Sequence, residues 1–203
     1  NLYKIIKLKL ILILKAVNSI YYCMRLNYLL ILILIFFGCR KIDDDGYRIY
    51  TIKEGKHRST FNYSTSRDQN FNWSIIFDSS AIYTTEDPDN QYDINKLIGW
   101  SDCSENHMDY SIRFGWRWLN DSLEIHWFRH QHGNFEFSKI KSVSLCEPHE
   151  YYLDFTDTEY SLCIDETCVY LDRTCPGTFK KYKLYPYFGG QETAPHDIKI
   201  RIK

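Results

Sequence analysis

Two arginines, a glutamate and two histidines fall on two short alternating runs, at spacings that bring them to one side of a paired strand. In Tyr110 to Trp118, Phe114, Trp116 and Trp118 share one face, and Arg113, Gly115 and Arg117 share the other. In Leu123 to His130, Leu123, Ile125 and Trp127 oppose Glu124, His126, Phe128 and His130. Asn120-Asp121-Ser122 between the runs has turn composition, so the pair is expected to close as a hairpin. Such a face suits the binding of a sugar. Sugars present flat apolar CH faces ringed by hydroxyls. Arg113, Arg117, Glu124, His126 and His130 would supply the charged and hydrogen-bonding groups, with Trp100 and Tyr185 or Tyr187 as stacking platforms. Trp116, Trp118 and Trp127 are expected to fill the core instead, as large aromatics usually do.

The chain carries, in order, Arg113 and Arg117, Glu124-Ile125-His126, and Tyr182-Lys183-Leu184-Tyr185-Pro186-Tyr187. That series resembles the jelly-roll lyases of the alginate lyase type, which have an Arg-bearing strand, a Gln-Ile-His strand and a late Tyr-rich strand. In those lyases an arginine neutralises the uronate carboxylate, a histidine or tyrosine takes the adjacent carbon-bound proton, and a tyrosine protonates the leaving oxygen. The resemblance implies β-elimination with Arg113, His126 and Tyr185 or Tyr187 in those roles. The chain departs from that pattern in having Glu for Gln and only thirteen residues from Arg113 to His126.

Other chemistries find less support. A retaining glycosidase needs two carboxyl groups about 5 Å apart, typically from one Glu-x-Asp-x-x-Glu strand, and Glu124 stands alone on its strand. Asp87, Asp89, Asp93 and Asn95 offer oxygens for a Ca²⁺ ion, but they lack the spacing and glycine of an EF-hand. Asp87-Pro88-Asp89-Asn90 also has the composition of a plain turn. His126 and His130 are about 13 Å apart along a strand rising ~3.3 Å per residue, too far to share an ion. The spacing Cys163-x4-Cys168-x6-Cys175 is not that of a zinc site, and one disulfide within this stretch is expected instead. The loop Phe188-Gly189-Gly190 needs glycine freedom, but no helix follows it to make a phosphate cradle. No cofactor is expected beyond the candidate Ca²⁺.

The elements that must carry these residues are strands. Aromatics make up 17% of the chain, and beyond residue 46 short alternating segments are broken by turn residues. Candidate strands, besides the hairpin, are Asn72 to Phe77, Phe135 to Ile140, Tyr151 to Phe155, Tyr160 to Cys163, Thr167 to Leu171, Phe179 to Pro186 and Asp197 to Ile202. A helical turn is expected around Ile94 to Ile98. About nine strands in one domain predict an all-β fold, an antiparallel two-sheet jelly-roll sandwich over residues 47–203.

Four segments carry a family resemblance: Ser80 to Thr85, Asn90 to Leu97, Arg113-Phe114-Gly115-Trp116-Arg117-Trp118, and the closing Leu184 to Ile198 with its Tyr187-Phe188-Gly189-Gly190-Gln191. Over about residues 72–203 the chain resembles a set of Bacteroidota surface lipoproteins with a concanavalin A-like sandwich. The resemblance implies that fold and a surface location, and brings no catalytic residues with it.

The N-terminal region agrees with such an address. Met24-Arg25, a Leu/Ile/Phe run and Gly38-Cys39 read as a lipoprotein signal peptide over residues 24–38, with Cys39 as the lipidated residue. The apolar run is short of the ~20 residues a spanning helix needs. Residues 1–23 read as a mis-called upstream extension. Residues 39–46, with Asp43-Asp44-Asp45, read as an acidic tether resembling a Bacteroidota surface-export signal. These readings imply a lipid-anchored outer-membrane protein exposed on the cell surface. Taking away the five basic residues before Cys39 moves the net charge from −1 to −6, which argues against a nucleic-acid partner. The expected function is non-catalytic binding of a glycan or other extracellular ligand. A polysaccharide lyase and a structural or adhesin-like protein bound to a protein partner are the alternatives.

Overall fold

The computed structural model describes residues 46–60 and 62–203. The expectations for residues 1–45, Cys39 among them, lie outside the described residues. Among those described, no helix is long and apolar enough to cross a membrane.

Twelve strands follow in order among the described residues: β1 (Arg48–Ile52), β2 (Thr65–Ser66), β3 (Asn70–Phe77), β4 (Asn95–Ser101), β5 (Ser111–Leu119), β6 (Ser122–Gln131), β7 (Asn134–Val143), β8 (His149–Phe155), β9 (Glu159–Ile164), β10 (Thr167–Asp172), β11 (Lys181–Leu184) and β12 (Ile198–Ile202). They form two six-stranded sheets, ordered β1-β12-β3-β8-β9-β10 and β2-β11-β4-β5-β6-β7. Every pairing is antiparallel. The all-β jelly-roll sandwich read from the sequence is the fold observed.

The second sheet carries the expected hairpin. β5 and β6 pair from Ser111↔His130 to Leu119↔Ser122. Asn120 and Asp121 join them with φ of 51° and 54°, the left-handed pair a two-residue type I′ turn requires. His132 and Gly133, at 52° and 75°, make the same turn into β7. The inward positions pack against the first sheet. Phe71 stacks on Trp100 at 4.4 Å, and Phe114 meets Tyr151 edge-on at 5.0 Å. Trp116, Ile112 and Ile125 are fully buried, and Trp118 and Trp127 pack partly buried against the same core. Each such large apolar side chain contributes about 1.5–3 kcal/mol of burial.

The helical turn expected over Ile94 to Ile98 is instead the start of β4. The 3-10 turns lie earlier, at Ser79–Ala81 and Pro88–Tyr92. β4 is irregular, its register with β5 shifting between Lys96 and Gly99. Leu97 and Ile98 both enter the core, while Lys96 and Gly99 face outward. That pattern mimics helical spacing in the sequence.

One end of the sandwich is tied across the sheets. Asp102, just after β4, is wholly buried and accepts from Arg173 Nε at 2.7 Å, Arg173 Nη2 at 3.0 Å and the Tyr160 hydroxyl at 2.8 Å. A Cys103–Cys175 disulfide lies beside it, and Cys163–Cys168 cross-links the β9–β10 hairpin within the expected stretch.

Candidate functional site

The second sheet's outer face carries a groove of about 460 Å³, lined by Arg58, Asp93, Ile94, Lys96, His107, Met108, Arg113, Phe128, His130, Phe135, Phe137, Tyr187 and Gly190. A side lobe of about 270 Å³ adds Asn62, Tyr63, Tyr182 and Tyr185, and shares Arg58, His107, Arg113 and Tyr187 with the groove. Strand parity places these residues. On β5, Arg113 faces outward beside Phe128 of β6, and Phe128 faces Phe137 of β7. Tyr187 is held between Arg58 and Lys96 by isolated bridges, its ring stacked on His57 at 5.2 Å.

Arg113 is the centre of the site. Its side chain crosses Gly99, where a Cβ would lie 2.2 Å from the arginine's own Cβ, so only glycine leaves it room. Arg113 is 7% exposed, and its Nε has no hydrogen-bond partner among the described residues. The ion pairs of the sheet run to Glu124, Glu136 and Asp165, none of them to Arg113. Its guanidinium instead lies 5.4 Å from the Phe128 ring, and Lys96 Nζ lies 4.6 Å from the same ring. Burial lowers Arg113 from 12.5 to about 10, with Tyr182 and Tyr187 opposing. Burial and then Arg113 lower Lys96 to about 8, against the pull of Asp93. Lys96 spends one proton on the Ile94 carbonyl at 2.6 Å. Two cations thus share one aromatic floor, and among the described residues neither has a carboxylate in ion-pair contact. The arrangement is made to receive an anion.

A hydrogen-bond relay borders the cations. Tyr182 Oη accepts from the His107 backbone N–H at 2.6 Å and lies 2.9 Å from His107 Nδ1. Ser111 Oγ donates to the His107 carbonyl at 2.7 Å and lies 3.3 Å from His130 Nδ1. With the serine proton committed, His130 Nδ1–H is the donor of that contact, which leaves Nε2 as its acceptor nitrogen. Burial, then Arg113, His107 and Lys96, lower His130 to about 4, and burial with Arg113 and Arg58 lowers His107 as well. Both rings are neutral at physiological pH.

Of the sequence candidates, Arg113, His130 and Tyr187 meet in this groove. Arg117, Glu124 and His126 form a separate cluster farther along the same face. Glu124 accepts from Arg117 Nε at 2.7 Å and Lys139 Nζ at 2.8 Å, with His126 Nε2 at 3.2 Å. Burial pushes Glu124 up, but the lysine and arginine bonds outweigh it and hold the carboxyl at about 2. A carboxylate so fixed cannot serve as a general acid, and Asp93 is the carboxylate residue among the groove's described lining. His126 is therefore not the histidine beside Arg113; His130 is. Trp100 is no platform, because it is 5% exposed and stacked inside the core. Tyr185 packs toward Tyr50 at 5.8 Å and touches only the side lobe.

The Ca²⁺ candidates do not converge. Asp87 caps a 3-10 turn by accepting from Asp89 N–H at 3.0 Å, and the buried Asn95 accepts from Gly189 N–H and donates to Tyr83 Oη. Asp93 lines the groove. Lys96, His107, Phe128, Phe135 and Phe137 were not singled out from the sequence. The alternation Phe135-Glu136-Phe137, one turn from Phe128, was the signal for the aromatic row.

No protein-family model and no curated protein sequence matches the chain. Solved structures do. The alginate lyase AlyC3 aligns with a TM-score of 0.56 at 8% identity, over 77% of this chain and 72% of that one. A Bacteroides ovatus GH16 enzyme of a mixed-linkage glucan locus, in complex with a G4G4G3G product, aligns at 0.51 and 11%, over 80% and 81%. SCLam, a non-specific endo-β-1,3(4)-glucanase of family GH16, aligns at 0.51 and 11%, over 78% and 70%. At these identities the likeness is one of fold. The chain shares the concanavalin-like jelly roll of carbohydrate-active proteins.

Proposed function

We propose that the groove binds an acidic glycan, whose carboxylate or sulfate sits against Arg113 and Lys96. One observation carries this reading: a buried guanidinium with an unpartnered Nε lines an open groove floored by aromatic rings. A buried charge without a counter-charge is costly in the free protein. An incoming anion relieves that cost, so it is favoured over a neutral sugar of the same shape. Calorimetric titration with acidic and neutral oligosaccharides, on the native protein and on Arg113→Met, tests the reading. Binding of acidic chains that Arg113→Met abolishes is the expected result. Equal binding of neutral and acidic chains would overturn it.

A second reading is β-elimination, favoured by the presence of Arg113, His130 and Tyr187 in one groove. Arg113 would neutralise the uronate carboxylate, and His130 Nε2 would take the proton from the adjacent carbon. That electron pair would form the ring double bond as the bond to the glycosidic oxygen breaks, with Tyr187 protonating the departing oxygen. A bound carboxylate would also mask Arg113 and so raise His130 toward a useful basicity. Ultraviolet absorbance of an unsaturated product separates the two readings.

We further propose that the domain is displayed outside the cell on a lipidated Cys39. The disulfides Cys103–Cys175 and Cys163–Cys168 support an oxidising compartment. Incorporation of labelled fatty acid that Cys39→Ser abolishes is the expected result.

A further inference from the structure

The groove and its lobe differ in charge along their length. Arg58 and Arg113 line both and so mark the junction, with His107 beside them. Each far end is an aromatic plate. At one end Phe135 and Phe137, 60% and 40% exposed, lie parallel to Phe128 within 9° and 5°. At the other, Tyr63 is 76% exposed and stacks on Tyr182 at 6.0 Å. Among the described residues, the cations near the plates are already engaged: Lys183, which lines the lobe, lies over the Tyr185 ring at 5.7 Å. Lys139, which follows Phe137 on the same face, is bound to Glu124, and Lys180 near Tyr63 shares its surface with Glu105. Flat exposed rings suit the CH faces of uncharged sugars and give a second charged unit no counter-charge.

Building on the acidic-glycan reading, we propose that the cleft selects chains in which a charged unit is flanked by neutral ones, an alternating copolymer rather than a uniformly charged polymer. The charged unit sits at Arg113, one neutral neighbour lies on Phe135 and Phe137, and the other on Tyr63. Tyr63 and Phe137 are specificity-determining residues on this account, and neither supports the core.

The test compares two hexasaccharides by calorimetry: one from hyaluronan, where glucuronate alternates with N-acetylglucosamine, and one from polygalacturonate, where every unit is charged. The hyaluronan fragment should bind about tenfold or more tightly, and Tyr63→Ala and Phe137→Ala should each shrink that ratio. Equal or tighter binding of the galacturonate fragment that still depends on Arg113 would overturn the inference and leave the acidic-glycan reading standing. So would an unchanged ratio in both variants. Failure of both fragments, together with every other acidic chain tried, would overturn the two together.

Discussion

Replacing Arg113 with Met should make the protein more stable while ending its binding of acidic ligands. The guanidinium is 7% exposed, and burial holds it near 10 rather than 12.5. At about 1.4 kcal/mol per tenfold change in protonation equilibrium, that corresponds to roughly 3 kcal/mol against the charged form in the folded state. Because this pKa is lowered in a base, the unfolded chain holds more protons between about pH 10 and 12.5. The cost is therefore fully present at neutral pH and fades only as pH rises through that window. Methionine keeps the apolar stem over Gly99 and Phe128 and removes the charge. It forfeits the contact with the Phe128 ring, worth about 1 kcal/mol. The net gain should be about 1–2 kcal/mol, which for a domain of this size is a rise of roughly 3–8 °C in Tm. Thermal denaturation followed by circular dichroism measures it, and calorimetry on the same sample measures the lost affinity. A lower Tm for Arg113→Met would show that the arginine is a satisfied structural group, and the argument for an anion seat would fail.

Lys96 should give acidic-ligand binding an alkaline limb. Its pKa is lowered to about 8, so affinity should fall as pH rises past that value, and Lys96→Met should flatten the profile. His130, lowered from 6.5 to about 4, costs the fold stability as pH falls through that window, since the unfolded chain binds the proton first. Urea midpoints measured from pH 7 to pH 4 should drop by less in His130→Asn. Glu124→Gln should destabilise by about 2–3 kcal/mol in denaturant titration, because Arg117 and Lys139 lose their carboxylate and the amide keeps only one of its two acceptor oxygens; the figure is below that of a fully buried pair because the cluster is partly exposed. Mutating Cys103 and Cys175 together to Ala should cost about 4 kcal/mol by the loop-entropy estimate for residues 72 apart, visible as a lower Tm in oxidising buffer only.

The β5–β6 hairpin was legible because alternation and turn chemistry agree: Phe114, Trp116 and Ile125 inward, Arg113 and His130 outward, Asn120-Asp121 between them. Arg113 and His130 therefore appeared as candidates before any geometry. Lys96 did not, because the irregularity in β4 breaks the two-residue period that would have exposed it. The choice between His126 and His130 was equally hidden. Both share the face, and the register sets them symmetrically, each two positions from the Phe128 that lies opposite Arg113; what separates them is that His130 turns to Ser111 and lines the groove while His126 turns to Glu124. Trp100 illustrates the reverse error. Its type suggested a sugar platform, but residue type carries no direction, and its place one residue past Gly99 turns it inward. Strand β1 escaped notice because Arg48-Ile49-Tyr50-Thr51-Ile52 mixes exposed Ile49 with buried Tyr50 and Ile52.

The Cys103–Cys175 bond has a mechanical consequence for the groove. His107 lies a short span after Cys103, Tyr182 a short span after Cys175, and the two side chains meet again by hydrogen bond. Chain, disulfide and hydrogen bond thus close a ring, and that ring forms one jaw of the cleft. The opposite jaw, Phe135 and Phe137, rides on β7, the outermost strand of its sheet. The first jaw is covalently cross-linked, whereas the second is held by strand pairing on one side. Bulky decorations on a bound chain should therefore be tolerated on the phenylalanine side and refused on the tyrosine side.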